Sequence, residues 1–175
     1  VLYNLEAGQA VMTDNNDIRI YTDGKEKFHA LIEEMKRAKK YIHVQYYIIR
    51  NDEVWQDIEK VLIEKAHEGV EVRVLFDSMG CRTMHKRDWD RLKRKGIRVA
   101  EFFPAILGQL QMRVNYRNHR KIVVIDGKVG FVGGFNVGRE YIGKDEKFGY
   151  WRDTHLCIEG AAVTSLAVRL SLIHI

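Results

Sequence analysis

Asn115–Asn136 reads NYRNHRKIVVIDGKVGFVGGFN, and the middle of it is a hairpin. Ile122–Ile125 is an uninterrupted β-branched run, which suits a buried strand. Asp126-Gly127 then supplies two residues that tolerate positive φ, the signal for a type I′ turn. Lys128–Val132 is expected to run back antiparallel. With a two-residue loop, Ile125 faces Lys128, Lys121 falls opposite Val132, and His119 falls opposite Gly134. Side chains alternate along a strand, so His119 and Lys121 share one face, and Gly134 and Asn136 project to it from the partner strand. An imidazole, an ammonium, an amide and an open glycine backbone on one patch make a phosphate cradle. Lys121 brings charge, Asn136 and backbone N–H groups bring oriented donors, and Gly134 permits close approach.

Around this hairpin the chain alternates short β-branched runs with amphipathic stretches, the pattern of an α/β layer fold. Ile18–Tyr21 reads as a strand, and Asp23-Gly24 opens a helix carrying Phe28, Leu31, Ile32 and Met35. Tyr41–Ile49 (YIHVQYYII) is too evenly apolar to be half exposed and belongs at the centre of a sheet. Asn51 is placed to cap the next helix, whose core stripe is Val54, Trp55, Ile58, Val61, Leu62 and Ile63 and which Gly69 ends. Val70–Asp77 is a third strand, followed by a basic helix ending near Gly96 and a strand over Ile97–Phe103. Pro104–Arg117, opened by the sole proline, reads as an irregular loop, and Thr154–Glu159 as a later strand.

The 175 residues suit one domain with a sizeable core. No run reaches the roughly 18 apolar residues of a membrane-spanning helix. The chain starts at Val1 rather than Met, so it is expected to be an excerpt of a longer protein, which leaves room for membrane segments upstream. Cys81 and Cys157 are the only cysteines and form no C-x-x-C pair. That argues against a disulfide framework or a zinc site and suits a reducing compartment; two buried thiols are the plain reading. The formal charge is +5, with much of the excess in Arg82–Arg98, RTMHKRDWDRLKRKGIR. Such a face can meet nucleic acid, an anionic membrane, or only water.

Each candidate residue taken alone is bland: a single histidine beside a strand is more often structural, and a lone lysine is usually solvated. Their convergence is what matters. His119-x-Lys121-x4-Asp126-x6-Gly133-Gly134-x-Asn136 matches the HKD signature, and the chain resembles the phospholipase D superfamily. That superfamily commonly has Ser or Thr where Gly134 stands, so one hydroxyl contact to phosphate is missing here. The stretches YIHVQYYIIRNDE, GVEVRVLFDSMG, VAEFFP, NYRNHRKIVVIDGK, GFVGGFNVGREYIG and YWRDTHLCIEG are similar to bacterial cardiolipin synthases, and the likeness runs to about Arg169.

The resemblance implies a phospholipase D-like α/β fold, a mixed β-sheet flanked by helices on both faces. Residues 1–169 would form the first HKD half of a two-half enzyme. It also implies phosphatidyl transfer. His119 attacks phosphorus to give a phosphohistidine, and a second histidine protonates the leaving alcohol and deprotonates the incoming one. Two phosphatidylglycerols then become cardiolipin and glycerol. No metal or organic cofactor is implied. The expected partners are phosphatidylglycerol, an anionic membrane surface, and the missing C-terminal HKD half or a second copy; nucleic acid is not expected. The expected location is the bacterial cell membrane, with the catalytic domain on its cytoplasmic side.

The catalytic candidates are therefore His119, Lys121, Asp126 and Asp153, and the phosphate-binding candidates Lys121, Gly134 and Asn136. Asp126 is a letter of the motif, yet it lies at the far end of the hairpin, and turn chemistry favours a structural role. The nucleophile still needs a carboxylate to fix its tautomer. The resemblance points to Asp153, whose plain reading is a surface aspartate capping a strand. Glu140 and Arg152 read as structural, and His155 as turned away from Asp153 into core or surface. Leu170–Ile175 (LSLIHI) is also the translation of a transposon end used in sequencing adapters, and is expected to be a non-native tail. The helical spacing of Leu166, Leu170 and Ile173 offers an ordinary helix end as the alternative. The competing function is a single-HKD phosphodiesterase or nuclease working as a homodimer, its basic stretch after Arg82 tracking a phosphate backbone. A non-catalytic HKD-like binding module is the third reading, against which His119, Lys121 and Asn136 are all present.

Overall fold

The chain runs β1 (Asn16–Asp23), α1 (Gly24–Arg37), β2 (Tyr41–Tyr46), α2 (Glu53–His67), β3 (Glu71–Asp77), α3 (Lys86–Arg94) and β4 (Arg98–Phe102). It continues through β5 (Ile122–Ile125), β6 (Val129–Gly133), a 3-10 turn (Arg139–Ile142), β7 (Arg152–Gly160) and α4 (Ala162–Ser171). The structure, a computed structural model, describes residues 11–102 and 118–171. The expected loop over Pro104–Arg117, the last residue of the strand read to Phe103, and the tail beyond Ser171 lie outside the described residues.

Among the described residues, seven strands form one mixed sheet in the order β1-β7-β6-β5-β2-β3-β4. β2, β3 and β4 are parallel, and β5, β6, β7 and β1 join them antiparallel. Period-two alternation then sorts the strand residues to two faces. Ile42, Val44, Val72, Val74, Val123, Ile125, Phe131 and Cys157 meet Phe28, Leu31 and Met35 of α1, the α2 stripe, and Trp89 and Leu92 of α3. The intervening Ile122, Val124 and Ile158 pack instead with Val163 and Leu170 of α4. Helices therefore cover both faces, as the α/β reading expects.

Four local expectations change. Asp52, not Asn51, caps α2: its carboxylate accepts from Val54 N at 3.1 Å and Trp55 N at 3.4 Å. The second strand ends at Tyr46 rather than Ile49, because β5 reaches only to the register pair Gln45–Ile122 and β3 only to Tyr46–Phe76. Beyond it, Tyr47–Ile49 leave the sheet, and Ile49 keeps a single bridge to Val137. The hairpin register is also shifted. Asp126 and Gly127 do have positive φ, 54° and 68°, and Lys128 N donates to Ile125 O at 3.0 Å. The ladder nevertheless starts at Ile125–Val129, leaving Lys128 in the loop, so Ile122 rather than Lys121 faces Val132.

Burial decides that register. A one-residue slip moves every side chain of β6 to the other face. As paired, Phe131 is fully buried in the larger core and Lys128 stays exposed. The two-residue loop would instead turn Lys128 toward that core.

The fourth change concerns His155. Residues two apart in a strand share a face, so Asp153 and His155 project together rather than apart. His155 pairs in register with Gly133 on β6 and Tyr21 on β1, and it is completely buried.

Candidate active site

His119 and Lys121 come together just before β5. Lys121 Nζ lies 2.9 Å from His119 Nδ1, 3.4 Å from Nε2 and 2.7 Å from the His119 carbonyl oxygen. His119 is exposed and Lys121 is buried. Burial, and then the charge of Lys121, lower the His119 pKa from its ordinary value, which favours the neutral imidazole. Burial also pulls the Lys121 ammonium down to about 8, while the Asp153 carboxylate works the other way. A neutral ring is the nucleophilic form, and a desolvated ammonium beside it is a strong donor to an incoming oxyanion.

Tyr47 completes this corner, and the sequence reading missed it. Its ring lies 4.5 Å from the His119 ring between centroids, inclined by 50°, with Lys121 Nζ 5.7 Å from its centroid. The cue was concealed because YIHVQYYII reads as one buried strand; Tyr47 is the residue at which that strand leaves the sheet. Cys81 holds the departing segment. Its sulfur accepts from Ile49 N at 3.3 Å and donates to Tyr47 O at 3.6 Å, and burial pushes its thiol up to about 12.

The remaining motif residues do other things. Asp153 is half-buried, and its Oδ1 accepts from Thr154 N at 2.7 Å. Its side chain fills the place into which a Cβ on Gly134 would project. The open approach expected over Gly134 is therefore occupied by a carboxylate, and Gly134 N already donates to Thr154 O at 2.8 Å. Asn136 is buried, accepts from Ile48 N at 3.0 Å and donates to the Tyr141 hydroxyl at 3.1 Å. Both of its polar ends thus serve the fold, leaving one amide hydrogen for a ligand.

Asp126 sits in the turn at the opposite end of β5 from His119 and Lys121. Its carboxylate accepts from Lys39 N at 2.8 Å, Lys40 N at 2.7 Å and Tyr41 N at 2.9 Å. Burial alone would raise its pKa, but those three hydrogen bonds and nearby Lys128 hold it below the ordinary value. Glu140 is spent on Arg50, 3.1 Å away, and Arg152 is an exposed residue at the start of β7. Among the described residues, no cluster of three or more His, Cys, Asp or Glu is arranged to hold a metal ion.

Residues 31–152 match the family described as cardiolipin synthase, PLD-like domain. The chain belongs to that family. It is 52% identical over 172 residues to cardiolipin synthase 2 of Staphylococcus epidermidis, covering 98% of this chain and 35% of that protein. It is 53% identical to a cardiolipin synthase of Staphylococcus aureus, covering 98% and 34%. The chain thus spans about a third of the length of these synthases. The fold is similar to that of NucT from Helicobacter pylori, with a TM-score of 0.69 at 15% identity, covering 91% of this chain and 96% of that one. In the terms of the family, the HKD letters divide. His119 and Lys121 meet at one corner, and Asp126 anchors the other end of the hairpin.

Proposed function

We propose that this chain is one catalytic half of a phosphatidyltransferase that makes cardiolipin from two phosphatidylglycerols. The observation that carries the reading is the contact between the His119 ring and the buried Lys121 ammonium, set within a cardiolipin synthase-type domain. His119 attacks phosphorus of the first phosphatidylglycerol. The N–P bond forms, the P–O bond to glycerol breaks, and glycerol takes a proton from the second half's acid. The hydroxyl of a second phosphatidylglycerol then gives up a proton to that same group and attacks, breaking the N–P bond and releasing cardiolipin. Lys121 neutralises the phosphoryl oxygens, and Asp153, two residues ahead of the buried His155, supports Lys121 through its charge. No step calls on a metal or organic cofactor.

The substrate is lipid, so the expected setting is an anionic bacterial membrane, with this domain on the cytoplasmic side. No helix among the described residues is long and apolar enough to cross a membrane. The second cradle comes from a further HKD half of the same polypeptide, or from a second copy of the chain. The test is incubation of the intact gene product with phosphatidylglycerol vesicles, following glycerol and cardiolipin together and trapping the base-stable phosphohistidine. Equimolar products, and a covalent adduct lost in His119→Ala, are expected. Cardiolipin formation at the wild-type rate by a folded His119→Ala protein refutes the assignment. Cleavage of DNA in place of transfer supports the homodimeric nuclease.

A further inference from the structure

Lys121, just before β5, stands abreast of Gly133 on β6 and His155 on β7. Gly133 N donates to Lys121 O at 3.4 Å, and Gly133 is the register partner of His155. Strands lie about 4.8 Å apart, so the Lys121 and His155 backbones are separated by roughly 10 Å, with only a glycine between them. A Cβ on Gly133 would stand 2.8 Å from His155 Cγ, so the imidazole leans over the gap that the glycine leaves. His155 has no exposed surface, and among the described residues neither of its ring nitrogens has a hydrogen-bond partner.

The surroundings of that ring are basic. Burial, then Lys27, then Lys121 bring its pKa down to about 2. Lys27 is itself fully buried on α1 and donates to the Tyr46 hydroxyl at 2.7 Å. His155 is thus a neutral imidazole with an unused acceptor nitrogen beneath the reactive corner. A buried polar atom left unpaired disfavours the fold, so such an atom calls for a use.

Lys121 supplies the use. An ammonium has three N–H donors. At rest, one goes to the His119 carbonyl oxygen and another to the His119 ring. The ring nitrogen must be released before it attacks phosphorus, and a phosphoryl oxygen then takes over that donor. Among the described residues, the third donor has no fixed acceptor at rest. We propose that His155 is a positioning residue for Lys121, its neutral ring accepting the third ammonium proton once phosphate is bound and so fixing the direction in which the charge points. Asp153, the other acceptor nearby, acts on Lys121 through its charge and stands beside Gly134 at the start of β7, its Oδ1 accepting from Thr154 N. The inference rests on Lys121 being the ammonium that meets the phosphate.

The test compares His155→Phe, His155→Asn and Lys121→Ala in the intact gene product, on phosphatidylglycerol vesicles and on bis(4-nitrophenyl) phosphate. His155→Phe keeps a ring and removes the acceptor. It is expected to lose about 10²-fold in kcat through misplacement of Lys121, with little change in KM and an unchanged or higher Tm. His155→Asn returns an acceptor and is expected to recover at least about tenfold of that loss on both substrates. A packing role reverses the order, with Phe active and Asn impaired, and overturns the proposal; equal loss in both variants does so too. If Lys121→Ala is inactive while His155→Phe stays within about twofold of wild type, the role of His155 alone fails. Wild-type turnover by Lys121→Ala overturns the functional reading and this inference with it.

Discussion

Replacing Asp126 by Asn separates the structural from the catalytic meaning of the motif. In the wild-type chain one carboxylate accepts three backbone N–H groups, from Lys39, Lys40 and Tyr41. Asn keeps a single oxygen acceptor and turns an NH2 toward at least one of those donors. Hydrogen bonds to a charged group are worth about 1.5–3 kcal/mol each when buried, and two of these three are exposed enough for water to replace them. A loss of about 2–3 kcal/mol is the reasonable total. In a chain of this size that lowers Tm by about 5–10 °C. The pH dependence gives a second handle. Hydrogen bonding holds the Asp126 pKa below its ordinary value, so its contribution is fully present above the unfolded-state value of about 3.9 and is lost as pH falls through the folded one. The gap in Tm between wild type and Asp126→Asn should stay constant from about pH 8 to 5 and close below about pH 4. Calorimetry across that range is the assay, with phosphodiester turnover measured below the variant's melting range. A Tm within about 1 °C of wild type together with abolished turnover would refute the reasoning and return Asp126 to the reacting centre.

Three further outcomes follow from the corner itself. Turnover should fall above about pH 8 as the Lys121 ammonium is lost, and Lys121→Arg should remove that alkaline limb even if it lowers the rate; a limb unmoved in the variant belongs to another group. Asp153→Asn removes the charge that raises the Lys121 pKa, so the alkaline limb should move to lower pH and turnover should drop with little change in Tm; the reverse pattern marks Asp153 as a structural residue. Gly134→Ser adds the hydroxyl that the superfamily resemblance leads one to expect there, but its Cβ enters the space of the Asp153 side chain. It should therefore lower turnover as Asp153→Asn does, and a gain in rate would show that the carboxylate yields without consequence.

The layer class and the meeting of His119 with Lys121 were legible because both rest on local patterns. Alternating β-branched and amphipathic runs identify α/β layers, and residues two apart beside a strand reach one another without help from the rest of the chain. The register of the hairpin was not legible from the turn alone. Asp126-Gly127 takes the expected positive φ values, yet where pairing starts is set by which of Lys128 and Phe131 is buried against helices from far upstream. His155 shows the same limit: its side follows from strand alternation, whereas its lack of a polar partner depends on what α1 and β6 bring to it. Gly134 looked open because a glycine in sequence shows absence of bulk and not the carboxylate that fills the gap.

The division of labour in the motif has a geometric reason that joins these observations. Asp126 and Asn136 are both spent on the backbone around β2, one at each end. Asp126 holds residues 39–41 where the strand begins, and Asn136 holds Ile48 two residues after it ends. Between those grips, β2 pairs with β5, the strand that His119 and Lys121 immediately precede. Tyr47 leaves the sheet between Gln45, the last residue paired with β5, and the Asn136-held Ile48, and it is there that its ring meets His119. Sliding β2 by one residue would reverse the side to which each of its residues points and withdraw Tyr47 from the imidazole. Asp126, read from the turn as structural, and Asn136, read as a phosphate ligand, thus both fix the register of the strand that carries the aromatic wall. That wall stands against the histidine and lysine to which the proposed chemistry belongs.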